Sequence, residues 1–343
     1  MRAIGVAAAA VLCLTGSAYA QTDLDYQRQI QELRQRLDQL ERERPVAPSG
    51  VAAADATVQR ALERSLIEQG GLLLPAGTFD IVPELQYSHF GSNQLGIVGA
   101  AVTNVVFHQD TLETGLIARY GLPFDAQFNL HVPYIVSWTR TSAIGTTTSR
   151  TDTGIGDVDF GLSKQILYER GLIPDVLAQI TYKVNTGSAV FSPTTALVGP
   201  TVTSSLGRIG GTGTGFNDII GGLTAVRRQD PLVFLAGVSY DHTFDRTIDG
   251  THFSPGDAIE GRLGSILAAS PDTSLRTIFD VARVDKTKVS GLAIAGSDRV
   301  LAFLELGGSA VVSRSVLIDA AVQIGLTRDT PDFRFIFSVP IHF

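Results

Sequence analysis

The sequence predicts an all-β membrane barrel of about 12 antiparallel strands with an N-terminal helical extension. Three observations predict it. In the last thirteen residues Phe333, Phe335, Phe337, Val339, Ile341 and Phe343 fall on one strand face while Arg334, Ser338 and His342 fall on the other, and period two over that length marks a two-faced strand. The same alternation recurs in short segments from Thr78 onward, separated by turn residues. The connections after even-numbered segments are tight and those after odd-numbered ones mostly long, the outer-membrane arrangement, with the short final link Asp329-Thr330-Pro331 departing from the trend.

Composition narrows the class further. A chain with 44% hydrophobic residues would also suit a soluble core, but 35 Gly with 1 Met and 1 Trp, distributed over short alternating segments, is the membrane-barrel pattern. The formal net charge of -7 offers no basic patch, so no nucleic-acid partner is expected.

The N-terminus predicts an envelope address. Arg2 precedes an apolar run from Ala3 to Leu14, and Ala18-Tyr19-Ala20 supplies the small residues of a signal-peptidase site, so residues 1–20 are expected to be removed. Cys13, the one cysteine, lies in that run after Leu12, where lipidation would want a small residue. The mature chain then has no thiol for a disulfide, a metal or a nucleophile. After residue 20 no apolar run reaches the ~18 residues a membrane helix needs.

In residues 21–44 Tyr26, Ile30, Leu33, Leu37 and Leu40 recur at spacings of four, three, four and three. That is an a/d seam over about three heptads, expected to self-associate as a periplasmic coiled coil. Residues 45–53, with Pro45-Val-Ala-Pro-Ser-Gly50, form a linker. Residues 54–71 read as an amphipathic helix with Val58, Leu62, Leu66 and Ile67 on one side and Gly70-Gly71 as a stop. The helix could pack on a periplasmic surface, lie at the membrane interface or enter the barrel mouth. Because only Gly70 to Gly77 separates it from the first strand, its end is tethered near the periplasmic mouth and it is expected to enter the lumen as a plug. There its apolar side would meet residues such as Leu235, Gly237 and Ile336, while Arg60, Glu63, Arg64 and Glu68 answer lumen charges.

The barrel spans residues 78–343. In the first strand Phe79, Ile81, Pro83, Leu85 and Tyr87 share one face, and Asp80, Glu84, Gln86 and Ser88 the other, with Val82 an apolar exception on the polar side. Eleven more segments follow at about 110–121, 124–139, 154–168, 172–186, 215–228, 231–244, 255–270, 273–285, 297–312, 314–327 and 331–343. The links after even-numbered strands are tight, whereas Gly187 to Thr214 is long and rich in Gly, Ser and Thr. The long links should face the cell exterior.

Outward faces, such as Phe128, Leu130, Val132, Tyr134 and Trp138 in the third strand and Val316, Ile318, Ala320, Val322 and Ile324 in the eleventh, should meet lipid. Tyr87, Trp138 and Tyr240 are expected at the outer interface and Phe79, Tyr120 and Phe343 at the inner one. The opposite faces carry Asp80, Glu84, Glu113, Arg119, Asp157, Asp159, Asp175, Lys183, Glu260, Arg262, Arg276, Asp280, Glu305, Asp319 and Arg334. Charges so numerous need water or partners, so the lumen should be hydrated and mildly cation-favouring. Twelve strands lie between the barrels that side chains fill and those that stay open.

Catalytic and metal chemistry find no support. The six histidines, His89, His108, His131, His242, His252 and His342, lack His-x3-His spacing, and no G-x-S-x-G elbow is present. Arg208-Ile-Gly-Gly-Thr-Gly-Thr-Gly215 lacks the Gly-Lys-Ser/Thr of a phosphate loop and reads instead as a flexible or lumen-dipping external loop. No enzyme activity, cofactor or metal is expected.

The C-terminal aromatic face ending in Phe343 resembles the closing strand of bacterial outer-membrane barrels. The runs Gly154-Ile-Gly-Asp-Val-Asp-Phe-Gly-Leu-Ser-Lys164 and Val176-Leu-Ala-Gln-Ile-Thr-Tyr-Lys-Val-Asn-Thr-Gly187 resemble the barrels grouped as "MetA-pathway of phenol degradation" transporters. Ala61-Leu-Glu-Arg-Ser-Leu-Ile-Glu-Gln-Gly-Gly-Leu-Leu-Leu-Pro-Ala-Gly77, behind a heptad segment, is similar to the Fap secretion channels, which export functional-amyloid subunits. That resemblance implies a coiled coil trimerising twelve-stranded barrels and a plug helix, carried here by Val58, Leu62, Leu66 and Ile67; no cargo-binding motif carries over.

The sequence therefore predicts a passive outer-membrane channel, gated by its N-terminal helix and exporting polypeptide. Its expected partners are outer-membrane lipid, further copies of itself, as a trimer in the resemblance's terms, and the transported polypeptide or solute. The alternatives are uptake of small or aromatic solutes and a structural or adhesive surface barrel.

Overall fold

In a computed structural model the residues described are 62–98, 101–143, 145–191 and 208–343, all within one unit, Ala56–Phe343. The expected signal peptide, the heptad seam from Tyr26 to Leu40, the expected linker and Val58 lie outside the described residues. No helix among the described residues is long and apolar enough to cross a membrane, a finding that says nothing of strands.

The strands are β1 (Phe79–Val98), β2 (Ala101–Leu122), β3 (Ala126–Ala143), β4 in two pieces (Thr146–Ile155 and Val158–Leu167), β5 (Asp175–Val184) and β6 (Asp218–Gln229). They continue as β7 (Leu232–Thr243), β8 (Ala258–Ser270), β9 (Thr273–Val284), β10 (Arg299–Val311), β11 (Leu317–Gly325) and β12 in two pieces (Phe333–Ser338 and Ile341–His342). Each is antiparallel to its neighbours, and β12 pairs with β1, aligning Glu84 with Ser338 and Asp80 with His342, so the sheet closes into a twelve-stranded barrel. Mutual bonds between the Phe79 and Phe343 backbones fasten the seam at its end. Closure removes the unpaired edges that an open sheet presents.

Period two decides the wall. Along β9 every second residue from Ser274 to Asp280 is buried and its neighbours are exposed, and β11 repeats the pattern. The exposed set is apolar around the circumference: Leu116, Tyr134, Leu223, Phe279, Leu306, Val322 and Phe335 all stand outward. An apolar belt of this extent is stabilised by hydrocarbon, not water.

One end carries tight turns, two residues long between Gln229 and Leu232 and between Ser270 and Thr273. Between β2 and β3 the turn is closed by left-handed backbone at Phe124 and Asp125. At the other end the long connections are those after β5, β7 and β9. Those after β7 and β9 contribute Arg246–Ile248, Thr251–Ser254, Lys288–Val289 and Leu292–Ala293 to a separate four-stranded sheet.

The structure differs from the sequence reading in strand length. β1 and β2 continue to Val98 and back from Ala101, and β3 and the first piece of β4 pair through Ala143 and Thr146, where connecting loops were expected. Twenty residues at roughly 3.3 Å each exceed what a ~25 Å apolar band needs even when tilted. Beyond that band both faces meet water, so the backbone ladder persists without the apolar alternation that makes a strand legible.

Candidate functional site

The short-turn end of the lumen holds the helix at 62–68. It ends in a Schellman motif: Gly70 takes φ +67°, its amide donates to the Ile67 carbonyl at 3.1 Å, and the Gly71 amide donates to the Leu66 carbonyl at 2.8 Å. A Cβ on Gly71 would lie 3.1 Å from Val226 Cγ2, so a glycine here lets the chain turn against the wall.

Leu66 is fully buried in a cluster with Leu177, Val226, Val233, Leu235, Ile266 and Ile278, and Leu62, Leu72 and Leu73 pack against it. The wall members share the inner face of β5 to β9, because Val226 pairs with Leu235, Val233 with Ile266, and Gly264 with both Leu235 and Ile278. They form an apolar socket in an otherwise polar lumen. Burying Leu66 there contributes about 2 kcal/mol. Ile67 lines a cavity of about 310 Å³ between the helix and the short-turn mouth, beside Asp80, Leu317 and His342.

Polar contacts hold the same segment. Arg119 donates to Glu68 at 2.6 and 3.2 Å, with both side chains nearly buried. Arg64 reaches the Ser313 and Arg314 carbonyls in the β10–β11 turn, and the Leu74 amide donates to Gln127 Oε1 at 2.8 Å. A side chain on Gly121 would strike the Pro75 carbonyl, so close approach of tether to β2 requires glycine.

Inner-face charges from the sequence are drawn into pairs. Asp80 bonds His342 at 2.6 Å; His131 lies 3.0 Å from Asp159 and 3.7 Å from Glu113; Asp175 pairs with Arg228 at 2.7 Å; Lys183 pairs with Asp218. Arg262 bonds Asp280 at 2.7 Å. Arg276 is held between Glu305 at 2.5 Å and Asp319 at 2.5 and 2.8 Å, all three buried. Gln323 extends this chain by donating to Glu305 and accepting from Arg334, whose guanidinium lies 5.2 Å from the Phe303 ring. Glu84 and Glu260 stand in the same inner rows, opposite Gly115 and Ala282.

Sequence reasoning missed Arg228, Asp218, Gln323 and most of the socket. Leu177, Val226, Val233, Ile266 and Ile278 were legible only as breaches of the alternation, apolar residues on the polar face; of the socket's wall, Leu235 alone was expected to meet the helix.

At the long-loop end the inner wall carries a second cavity, about 260 Å³, lined by Glu113, His131, Asp157, Asp159, Lys183 and the segment Gly211–Thr214. On the outer face nearby, Tyr240 donates to Asp257 at 2.5 Å and His242 Nδ1 lies 2.8 Å from it. Burial pushes the Asp257 carboxyl up, but those two hydrogen bonds outweigh it and hold it below the usual carboxylate range. Among the described residues no group of three or more His, Cys, Asp or Glu side chains is placed to hold a metal ion.

No family model matches the chain. Among solved structures it is similar to the COG4313 outer membrane channel from Pseudomonas putida F1, with TM-score 0.57 and 13% identity over 79% of this chain and 97% of that one. It also aligns with the CymD monoaromatic hydrocarbon channel, with TM-score 0.43 and 9% identity over 78% and 88% of the two chains. For the translocator domain of the autotransporter NalP from Neisseria meningitidis the values are 0.43 and 12%, over 86% and 97%. The first likeness, with the closed ladder and the apolar belt, shows that this chain has the outer-membrane β-barrel fold.

Proposed function

We propose that this chain is a passive outer-membrane channel whose short-turn, periplasmic mouth is closed at rest by the helix at 62–68. The observation that carries the reading is Leu66 seated in the lumen socket with Glu68 paired to Arg119. A hydrated lumen has no reason to bury apolar side chains unless something covers them. The socket and the helix answer each other, and a closure built from one leucine, one ion pair and a few backbone bonds is reversible.

The cargo we propose is polypeptide of the functional-amyloid type, with residues 21–44 oligomerising the barrels. This rests on the heptad seam and on the resemblance of residues 61–77 to Fap channels. One observation favours a second reading, uptake of small solutes: the 260 Å³ cavity at the other mouth is of small-molecule size.

Deleting residues 21–69 should raise single-channel conductance in planar bilayers, whereas deleting only 21–44 should disturb oligomerisation and leave conductance low. Equal conductance of the intact and the 21–69-deleted barrels, both showing heat-modifiable mobility, would overturn the gating assignment. Secretion of a co-expressed amyloid subunit, set against liposome swelling with small solutes, separates the two cargo readings.

A further inference from the structure

The interruption of β4 places a carboxylate where the strand ladder has no use for one. Asp157 sits between the two pieces of β4, buried on the inner side, and its oxygens take three hydrogen bonds from the connection that follows β5. Oδ1 accepts from the Gly187 amide at 3.0 Å, and Oδ2 accepts from the Thr214 amide at 2.6 Å and the Thr214 hydroxyl at 2.8 Å. The anchorage continues on both flanks. The Thr212 hydroxyl donates to the Ile155 carbonyl at 2.7 Å, and the Thr186 hydroxyl to the Gly156 carbonyl at 2.8 Å. A Cβ on Gly187 would lie 2.5 Å from Gly213 Cα, so the two arms of the connection touch backbone to backbone.

These bonds turn Gly211–Thr214 toward the inner wall, where it faces Glu113, His131, Asp159 and Lys183 across the cavity of about 260 Å³. The charge lining that space is negative on balance. Lys183 is spent on Asp218, and one imidazole, His131, stands between Asp159 and Glu113. Neither contact involves the helix at the opposite mouth.

We propose that Asp157 is a positioning residue that holds Gly211–Thr214 as a fixed constriction at the long-loop mouth, making a chamber that admits small cations and turns anions away. Three charge-assisted bonds to one carboxylate are strong and directional, which suits a rigid sieve better than a swinging lid. The proposal rests on the channel reading for its purpose but not for its test, since the chamber can be approached without passing the helix.

The full-length chain has one cysteine, Cys13, in the expected signal peptide, so a single introduced thiol can report on the chamber. Thr111→Cys faces the chamber, and Lys286→Cys, on an exposed connection, corrects for intrinsic reagent reactivity. The purified protein would be treated with trimethylammonium-, sulfonate- and bulky biotin-bearing methanethiosulfonates, with folding checked by heat-modifiable mobility. Relative to Lys286→Cys, the position-111 thiol should react at least tenfold faster with the cation than with the anion, and the bulky reagent should be slowed a further tenfold. Adding Asp157→Ala should restore the bulky reagent's rate. Asp157→Asn, which keeps one acceptor oxygen and guards against a misfolded alanine variant, should restore it in part. Equal rates for cation and anion would overturn the charge assignment. A bulky-reagent rate equal to that at position 286 in the parent, or unchanged by both Asp157 variants in folded protein, would overturn the constriction. A barrel that passes these tests yet never conducts would instead count against the channel reading.

Discussion

Glu68, in the last turn of the helix, and Arg119, on the inner face of β2, form a two-pronged ion pair at 2.6 and 3.2 Å. It lies across the lumen mouth from the socket that takes Leu66. The helix is thus held on two unlike principles: an apolar side chain that water drives into the wall, and a charge pair whose worth depends on exclusion of water. A buried pair is weak evidence of net stability, because desolvation offsets much of its attraction. Its stronger effect is on specificity, since any helix position that separates the charges removes the one carboxylate that Arg119 bonds through both its terminal nitrogens.

Breaking that pair should therefore open the channel. Glu68→Ala and Arg119→Ala are each expected to raise open probability in planar bilayers. The double variant should fall short of the sum by a coupling on the order of 0.5–3 kcal/mol. Strict additivity would show that the two residues do not hold the helix together.

Leu66→Ala should loosen the helix at the socket. Truncating a buried leucine costs about 2–5 kcal/mol where the surroundings cannot collapse, and a rigid barrel wall collapses poorly. Limited proteolysis should then cut near residue 66 much faster than in the parent, while the barrel remains resistant. Unchanged cleavage would mean that the socket contributes nothing to docking.

Val322 and Asp319 separate the two faces of β11. Val322 stands outward, 39% exposed, and Asp319 is buried against Arg276. Val322→Arg should cost on the order of 2–4 kcal/mol near the bilayer midplane, read from urea titration in lipid vesicles. Asp319→Asn should also destabilise, since it removes one of the two carboxylates that hold the buried Arg276, and it alone should shift ion selectivity. A selectivity changed by Val322→Arg and left unchanged by Asp319→Asn would invert the face assignment.

The heptad seam makes a prediction independent of the barrel. Leu33→Asp with Leu37→Asp should dissociate the oligomer of the segment 21–44, because charge at a and d positions is costly to desolvate. Sedimentation of the parent segment as a monomer at high concentration would remove the basis for this expectation.

Barrel, strand count and face assignments were legible because a wall between lipid and water imposes period two on every strand, and because tight turns need Gly, Pro and Asp at set places. The run Phe333 to Phe343 displays that constraint unaided. The strand extensions beyond Ser88 were not legible, since water on both faces lifts the constraint while the backbone ladder continues to pair. Pairing partners were decided only by closure of the sheet. Arg276 lies far in sequence from Asp319 and Arg119 from Glu68, and nothing local in the chain says which carboxylate each will meet. The same holds for the socket: five strands contribute one or two apolar residues each, and only curvature of the barrel brings them to a single place that fits Leu66. Asp157 is the clearest case. Alternation assigns it to the inner face, but its three donors come from Gly187 and Thr214, which tertiary structure alone carries back to the mouth of the barrel.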